Sequence, residues 1–468
     1  MLDYARGKGS MSAGILVAPS SARSEVAPRE GVLSARAMLY FEAALWTAML
    51  VVFFASPVLQ MSDSQYSMLT AESIIHNHTP DLSSYSIKNY REDLPFDTIS
   101  GHHAYQLAHT NGRLLYGFGH GTSILSIPFV ALMDAMGVSP ATPDHRYNLA
   151  GEVIIEKILA ALLMASLVLV FFRTALLMLD WRWSAVVAIG AALGTSVWST
   201  ASRGMWAHTW EMMLGGIVVY LLLAGAVRGV SIRPVMLATL VSLMFFVRPN
   251  GAIAAVAVGI YILLCYPHEL ARFATAGVLW LAAFVAYSMR IFGSVVPYYY
   301  LSNDPHGMGV HFVQGLYGVL LSPSRGIFIF SPVLVTVLYL AARYRQSLRH
   351  AALAILALSM FAAITIASAA HPEWWGGNAY GPRLLSDTIP WLVLLAILAL
   401  AATPSDLRKL RTPAISIGAA LLAVSIVINA YGAVSQATLE WNMIQRPLPD
   451  AMLDWSRPQF LADWVNSR

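Results

Sequence analysis

The chain has 468 residues, of which 57% are hydrophobic and only 12% are charged. Soluble domains carry roughly 25% charged residues, so this composition excludes an ordinary soluble protein and indicates lipid as the main solvent. The net charge of +4 comes with no basic patch, which argues against nucleic-acid binding, and the single cysteine, Cys265, excludes an internal disulfide and a cysteine-based zinc site.

The first element is a polar N-terminal segment, residues 1–37, which carries five basic residues, Arg6, Lys8, Arg23, Arg29 and Arg36. The apolar block that follows, near 38–60, is too long for the core of a signal peptide. Together these features predict a cytoplasmic N-terminal tail followed by an uncleaved first span.

Apolar blocks of about 20 residues cross a bilayer as helices. The chain is therefore predicted to be an all-α polytopic membrane protein with about eleven transmembrane helices and interfacial helices in a long first outer loop. The spans are predicted near 38–60, 152–172, 184–200, 208–227, 234–247, 251–267, 273–290, 327–342, 351–369, 387–402 and 413–432. The fifth and sixth meet at Arg248-Pro249-Asn250 and are short enough to form one broken hairpin.

The stretch 115–137 is long enough to cross, but glycines and Pro128 interrupt it. Lysine and arginine of short loops collect in the cytoplasm, and this rule decides the topology. If 115–137 does not cross, the cytoplasmic loops contain the clustered basic residues Arg173, Arg182, Arg228, Arg233, Arg272, Arg343, Arg345, Arg349, Arg408, Lys409 and Arg411. We therefore predict that this stretch lies at the outer interface.

With this topology the segments outside the cytoplasm are 61–151, 201–207, 248–250, 291–326, 370–386 and a C-terminal tail, 433–468. They contain most of the histidines and most of the sequence rich in Trp, Gly, Pro and Arg. Irregular polar backbone at membrane depth is tolerated only where it lines a cavity or packs on protein. The pattern predicts a site on the periplasmic or extracytoplasmic face of an inner or plasma membrane.

Asp63 stands directly after the first span, at the start of a predicted interfacial helix. Aspartate is a favoured helix-capping residue, which gives it a purely structural role. A carboxylate at the membrane surface can also act as a general base near a lipid headgroup. Both roles are compatible, and Asp63 is the candidate catalytic residue.

Four arginines are predicted at or near outer helix ends: Arg203, Arg248, Arg325 and Arg383. Such side chains often extend to lipid headgroups without a further role. Charges at membrane depth that face a cavity are usually functional, however, and arginine is suited to bidentate phosphate contacts. These four are the candidate phosphate-binding residues.

Aromatic and polar residues in the outer segments are candidates for substrate binding, although many aromatics there belong to the interfacial belt. The closely spaced glycines of 117–121 match no nucleotide-binding motif. The Trp374-Trp375-Gly-Gly segment is less typical of a belt, and its rings are suited to stacking on a sugar. The candidates are Tyr66, Tyr116, His120, His208, Trp375, Asn378 and Tyr380.

Thirteen histidines raise the question of a metal. The pairs His76/His78 and His102/His103 are close in sequence, but no His-Glu-x-x-His pattern occurs. We predict no metal site and no cofactor, with a divalent cation possible but not indicated.

The chain resembles the GT-C superfamily of membrane glycosyltransferases, especially the bacterial branch related to protein O-mannosyltransferases and the lipid A aminoarabinose transferase. The resemblance covers about residues 38–432 and rests on the acidic residue after the first span, the long first outer loop and the number of spans. The stretches 322–332, SPSRGIFIFSP, and 375–383, WGGNAYGPR, look like those of bacterial members. Many members carry a second acidic residue beside the first, whereas here Ser64 follows Asp63, and a second carboxylate must be Glu72, Asp81 or a more distant residue.

The resemblance implies an inverting glycosyltransferase with a polyprenyl-phosphate sugar as donor and an envelope glycan, lipid or protein as acceptor. It implies that Asp63 deprotonates the acceptor hydroxyl and that outer arginines hold the donor phosphate. Two alternatives stay open. A transporter or flippase of lipid-linked sugars should show inverted repeats and mid-membrane helix breaks, and no such symmetry is visible. A surface polysaccharide polymerase or ligase usually has a large late outer loop, whereas here the first loop is the largest.

Overall fold

The structure, a computed structural model, describes residues 33–87, 105–301, 309, 311–404, 412–444 and 450–467. Most of the predicted N-terminal tail lies outside the described residues. So do the His102/His103 pair and the basic residues Arg408, Lys409 and Arg411. The described part of the chain is mostly helical.

Its first half contains nine helices and one hairpin of two strands, β1 (Leu107–Thr110) and β2 (Arg113–Tyr116), which pair antiparallel. The helices are α1 (Ala35–Ala55), α2 (Ser67–Asn77), α3 (Gly121–Ala135), α4 (Leu149–Ala175), α5 (Trp181–Leu193), α6 (Ala207–Arg228), α7 (Pro234–Val247), α8 (Gly251–Cys265) and α9 (Leu270–Phe292).

The second half contains α10 (Tyr298–Leu301), α11 (Phe312–Leu321), α12 (Ile327–Phe330), α13 (Val333–Arg343), α14 (Ala351–Ala370), α15 (Ile389–Ala402), α16 (Pro413–Val434), α17 (Ala437–Ile444) and α18 (Ala462–Asn466). Two short elements matter for the site: a π-helical turn at Val197–Ala201 and a 3₁₀ segment at Arg383–Thr388. The other 3₁₀ turns are Pro267–Glu269, Arg345–Ser347, Asp450–Leu453 and Gln459–Leu461.

Seven helical segments of the described chain are long and apolar enough to cross a membrane: Ala35–Ala55, Leu149–Ala175, Ala207–Arg228, Pro267–Phe292, Ala351–Ala370, Arg383–Ala402 and Pro413–Val434. Large apolar side chains on them are exposed, for example Val278, Leu279 and Leu281 of α9. Exposed apolar surface of this extent is unfavourable in water. The chain is thus a multi-pass α-helical membrane protein.

The other four predicted spans coincide with the shorter apolar helices α5, α7, α8 and α13. α7 and α8 are separate helices that pack on each other, because Arg248 leaves the helical conformation and Pro249 provides no backbone N–H. The stretch 115–137 forms the end of β2 and the 15-residue α3, not one helix of spanning length.

Hydrogen bonds and ion pairs bring several helix ends together, and we call this side of the bundle the Asp63 end. The Gln60 amide donates to the Arg203 carbonyl oxygen, which joins the end of α1 to the start of α6. The Val58 amide donates to the Ala433 carbonyl at the end of α16. Gly121 lies against the last turn of α7, where a Cβ would come within 2.4 Å of the Phe246 carbonyl carbon. The polar segments of the sequence therefore converge on one side of the helix bundle.

Candidate functional site

The segment that carries Asp63 is held by a buried carboxylate of α4. Glu152 accepts hydrogen bonds from the backbone amides of Tyr66 at 3.2 Å and Met68 at 2.8 Å. These amides belong to the first turn of α2, which has no helical acceptor for them. Tyr66 has a left-handed φ of 74°, which turns the chain into α2. Glu152 thus fixes the start of α2.

Glu156, one turn further along α4, binds Ser64, which follows Asp63, and Met205, which precedes α6. One of its oxygens accepts from the Ser64 hydroxyl at 2.8 Å and from the Met205 amide at 3.0 Å. Both α4 carboxylates are completely buried. Buried carboxylates are stable only when hydrogen bonds or cations compensate for lost hydration, and here the compensating donors come from residues 64–68 and 205. Asp63 is consequently presented from a rigid turn.

Asp63 itself does not cap α2. The N-cap position is Tyr66, which makes no side-chain cap hydrogen bond, so the capping interpretation is wrong. The Asp63 carboxylate instead lies between Arg383 Nη1 at 2.5 Å and the Tyr105 hydroxyl at 2.8 Å, with 26% of the side chain exposed. The Tyr116 hydroxyl donates to the Asp63 carbonyl oxygen at 2.5 Å. A partly exposed, oriented carboxylate is suited to accept a proton from a bound molecule.

Arg383 approaches Asp63 from the 3₁₀ segment before α15. Its guanidinium lies 4.2 Å from the ring centre of Trp206, a cation–π contact. Its Nε is buried and has no hydrogen-bond partner among the described residues, and the same is true of Trp206 Nε1 and of Ser386 Oγ. These three donors are therefore buried and unsatisfied among the described residues.

A second charged cluster lies beside the first. The carboxylate of Asp387 accepts from Arg248 Nη1 at 2.7 Å and contacts His208 Nδ1 at 2.6 Å, and Asn250 Nδ2 lies 3.5 Å away. Burial raises the pKa of Tyr299 above its ordinary value, and the charges of Arg248, Asp63 and Arg383 all act on its hydroxyl. Tyr299 therefore marks the place where the two clusters meet.

The other two predicted phosphate-binding arginines have structural contacts. Arg203 donates to Ser202 Oγ and to the carbonyl oxygens of Ser56 and Phe53 at the end of α1. These carbonyls lack helical donors, and Arg203 satisfies them. Arg325 is equally buried and donates to five acceptors: the carbonyls of Ser324, Trp375 and Gly377, Gln459 Oε1 and Asn442 Oδ1. None of these acceptors is the Asp63 carboxylate.

The predicted substrate-binding residues divide in the same way. Tyr116 and His208 belong to the two clusters. His120 lies behind them, with Nδ1 2.6 Å from the Tyr287 hydroxyl and Nε2 2.9 Å from the Tyr116 carbonyl oxygen. Burial lowers the pKa of His120 to about 4, so the imidazole is neutral at pH 7.

The remaining candidates lie outside the Asp63 site or face it only through neighbours. Tyr66 packs on Tyr147 with ring centres 4.8 Å apart. The Tyr380 hydroxyl donates to the Ile428 carbonyl in the core, and Trp375 accepts from Arg325 through its carbonyl. Asn378 is exposed.

Sequence reasoning missed Glu152, Glu156, Asp387 and the contact of Tyr105 with Asp63. The two glutamates are spaced i, i+4 at the start of a predicted span, and Asp387 was placed at the first position of another. Carboxylates at membrane depth are energetically costly and usually functional. An acidic residue within a predicted span was therefore the feature of the sequence that could have revealed these three residues.

An apolar cavity of about 400 Å³ lies elsewhere, between α5, α13, α15 and α16. Arg182 is the only charged residue among those that line it, so this cavity offers no carboxylate or histidine for chemistry.

No protein-family model matches the chain, and no curated protein matches it.

Proposed function

We propose that the chain is a GT-C-like glycosyltransferase of the inner or plasma membrane, which transfers a sugar from a polyprenyl phosphate to an acceptor on the non-cytoplasmic side with inversion at the anomeric carbon. The observation that supports it best is the Asp63 carboxylate, held by Arg383 and Tyr105 directly after the first long apolar helix. This arrangement supports the proposal because it pairs a proton acceptor with a cation of the kind that binds phosphate.

In the proposed reaction the acceptor hydroxyl oxygen attacks the anomeric carbon of the donor sugar. The bond between that carbon and the phosphate oxygen breaks, and polyprenyl phosphate leaves with the bonding electrons. Asp63 takes the hydroxyl proton, so that both charges are accommodated within the site. The reaction needs no cofactor besides the lipid-linked donor.

Arg383 and Arg248 are the proposed phosphate ligands. Arg383 already neutralises Asp63 through Nη1, yet its Nε is buried and unpartnered among the described residues. A phosphate oxygen at Nε leaves the Asp63 contact intact. Asp387 holds the Arg248 guanidinium, which keeps it oriented before a ligand arrives. Preoriented charges stabilise a leaving phosphate with little reorganisation.

The test uses protein in lipid nanodiscs with a panel of polyprenyl-phosphate sugars and crude envelope acceptors. Release of polyprenyl phosphate and labelling of acceptor are measured for the native protein, for Asp63→Asn and for Asp144→Asn. Asp144 is a matched control because it is an exposed aspartate before α4 that pairs with Arg146. We expect Asp144→Asn to release polyprenyl phosphate at the native rate. Asp63→Asn should retain donor binding but release polyprenyl phosphate about 10²- to 10⁴-fold more slowly.

Three results contradict the proposal. Full turnover by Asp63→Asn removes the base role. If no donor is turned over while liposomes show transbilayer movement of the lipid-linked sugar, the chain is a transporter. Chain elongation of a surface glycan, measured with the same donors, identifies a polymerase.

A further inference from the structure

A second cluster of titratable groups joins α2 to α3 and contributes no side chain to the site around Asp63. Glu72 and His76 lie one turn apart on α2, a spacing that places both on one face of the helix. Asp134 is in the last turn of α3. His76 Nε2 is 3.1 Å from Asp134 Oδ2 and 3.3 Å from Glu72 Oε1.

The charges in this cluster are unbalanced. Nε2 of a neutral imidazole carries at most one hydrogen, so His76 cannot donate fully to two carboxylates at once. Glu72 is only 5% exposed, and its Oε2 is buried without a hydrogen-bond partner among the described residues. Two carboxylates that converge on one histidine nitrogen, one of them buried with a free oxygen, are stabilised by a positive charge, which a protonated His76 or a bound cation supplies.

We propose that Glu72, His76 and Asp134 bind one divalent transition-metal ion of the Zn²⁺ type, each through a single ligand atom, with water in the open position. The three ligand atoms lie within 4.8 Å of one another. In a tetrahedral zinc site with bonds of about 2.0–2.1 Å, neighbouring ligand atoms are about 3.3 Å apart, and both measured His76 distances are close to that value.

The surroundings provide the other features that a metal site needs. The Ser139 hydroxyl donates to Glu72 Oε1 at 3.1 Å and thereby orients a ligand carboxylate. The His76 side chain is 51% exposed, which gives an ion a path to the site. A ligand set of one imidazole and two carboxylates favours zinc and similar ions over Mg²⁺ and Ca²⁺, which prefer oxygen ligands alone. This proposal departs from the expectation of no metal and does not depend on the proposed transferase activity.

The experiment measures Zn²⁺ binding to the full chain in lipid nanodiscs, purified with a histidine-free affinity tag and stripped with a chelator. Calorimetric titration and the thermal midpoint are recorded with and without Zn²⁺. We expect one Zn²⁺ per chain with micromolar affinity or tighter, and a higher thermal midpoint when zinc is bound, because the ion binds the folded chain only. Mg²⁺ and Ca²⁺ in excess should not displace it.

The variants His76→Ala and Asp134→Asn should each weaken Zn²⁺ binding by at least about tenfold and remove the thermal shift. Both side chains are partly exposed, so these variants should fold, whereas a Glu72 variant disturbs the core. His78→Ala is the matched control, because His78 is an exposed histidine just after the same helix. Native affinity in both ligand variants, or failure of the native chain to bind Zn²⁺ at micromolar concentration, overturns the proposal. Transferase activity is not part of either outcome.

Discussion

Two pairs of arginines lie at the same end of the helix bundle and differ in what they contact. Arg203 and Arg325 are only 2% exposed and donate to backbone carbonyls, a hydroxyl and side-chain amides. Arg248 and Arg383 each pair with a carboxylate, Asp387 and Asp63 respectively. The sequence alone makes all four phosphate-binding candidates, because each lies near an apolar helix end.

The contrast separates two uses of a buried guanidinium. Burial lowers the pKa of Arg203 and of Arg325 to about 9, which still leaves both protonated at pH 7. Each of these arginines donates to neutral acceptors on several irregular segments and so holds those segments together. Their role is structural. The charge of an arginine beside a carboxylate is already neutralised. A ligand phosphate can bind the same guanidinium, either in place of the carboxylate or together with it.

The largest expected effect is on folding. Arg325→Met removes the donors of five acceptors, and each buried acceptor left unsatisfied costs about 1–3 kcal/mol. We expect the thermal midpoint in nanodiscs to fall by on the order of 10 °C. The control is Arg345→Met, since Arg345 is exposed and should change the midpoint little. An unchanged midpoint for Arg325→Met contradicts the structural role.

The next effect is on turnover. Arg383→Lys keeps the positive charge but loses the planar fork and the Nε donor. We expect kcat for polyprenyl phosphate release to fall by about 10²- to 10³-fold, with the thermal midpoint nearly unchanged. Arg325→Lys should show the opposite balance, with lower stability and a loss of activity only in proportion to the folded fraction. If the two lysine variants behave alike, the division into two pairs is wrong.

His120 sharpens the comparison. Like Arg325 it is buried among neutral partners, but its protonation changes within the accessible pH range. Its folded pKa of about 4 lies below the ordinary value of 6.5. As the pH falls, His120 is therefore protonated in the unfolded chain before it is protonated in the folded chain. The free energy of unfolding present above pH 6.5 decreases as the pH falls towards 4, by up to about 3 kcal/mol.

The measurement is the thermal midpoint between pH 7.5 and pH 4.5 for the native chain and for His120→Gln. We expect a shallower loss for the variant, which has no imidazole to protonate. Equal slopes for the two proteins show that His120 does not contribute to acid sensitivity.

The smallest effect concerns the ring beneath Arg383. Trp206→Phe keeps an aromatic face but weakens the cation–π contact, which is worth about 0.5–2 kcal/mol. We expect kcat/KM for the donor to fall by about twofold to tenfold. Trp391→Phe is the control, since Trp391 is also fully buried with an unpartnered Nε1 among the described residues. A larger loss in the control than in Trp206→Phe excludes a specific role for this ring.

The sequence makes Asp63 and Arg383 candidates because polar residues at the ends of apolar blocks are conspicuous. It did not reveal that they pair, because they are 320 residues apart and local charge patterns report only near neighbours. The distinction between Arg203 and Arg383 was equally hidden, since it depends on whether the nearest acceptor is a carbonyl or a carboxylate. Glu156 was missed because it lies inside a predicted span, where Glu152 and Lys157 beside it indicate only the polar start of the helix.

The helical class and the positions of the apolar helices followed from composition and block length. The lengths of individual helices did not, because hydropathy is insensitive to where the backbone leaves the helical conformation. The breaks after α7 and before α13 are made by Pro249 and by Ser331-Pro332, within or beside continuous apolar sequence. Seven segments consequently have full spanning length, and four predicted spans are shorter helices.

The hydrogen bonds from residues 64–68 to Glu152 and Glu156 limit how this segment can be exchanged between chains. The polar segment between α1 and α4 cannot be treated as an interchangeable cassette, because its first turn is completed by side chains of the following long helix. A chimaera that exchanged this segment alone would have to present two backbone amides to Glu152 in the same geometry and a hydroxyl to Glu156, which would otherwise keep only the Met205 amide. Any graft between related chains must carry the first turns of α4 with it, and the segment and the helix are expected to evolve as one unit.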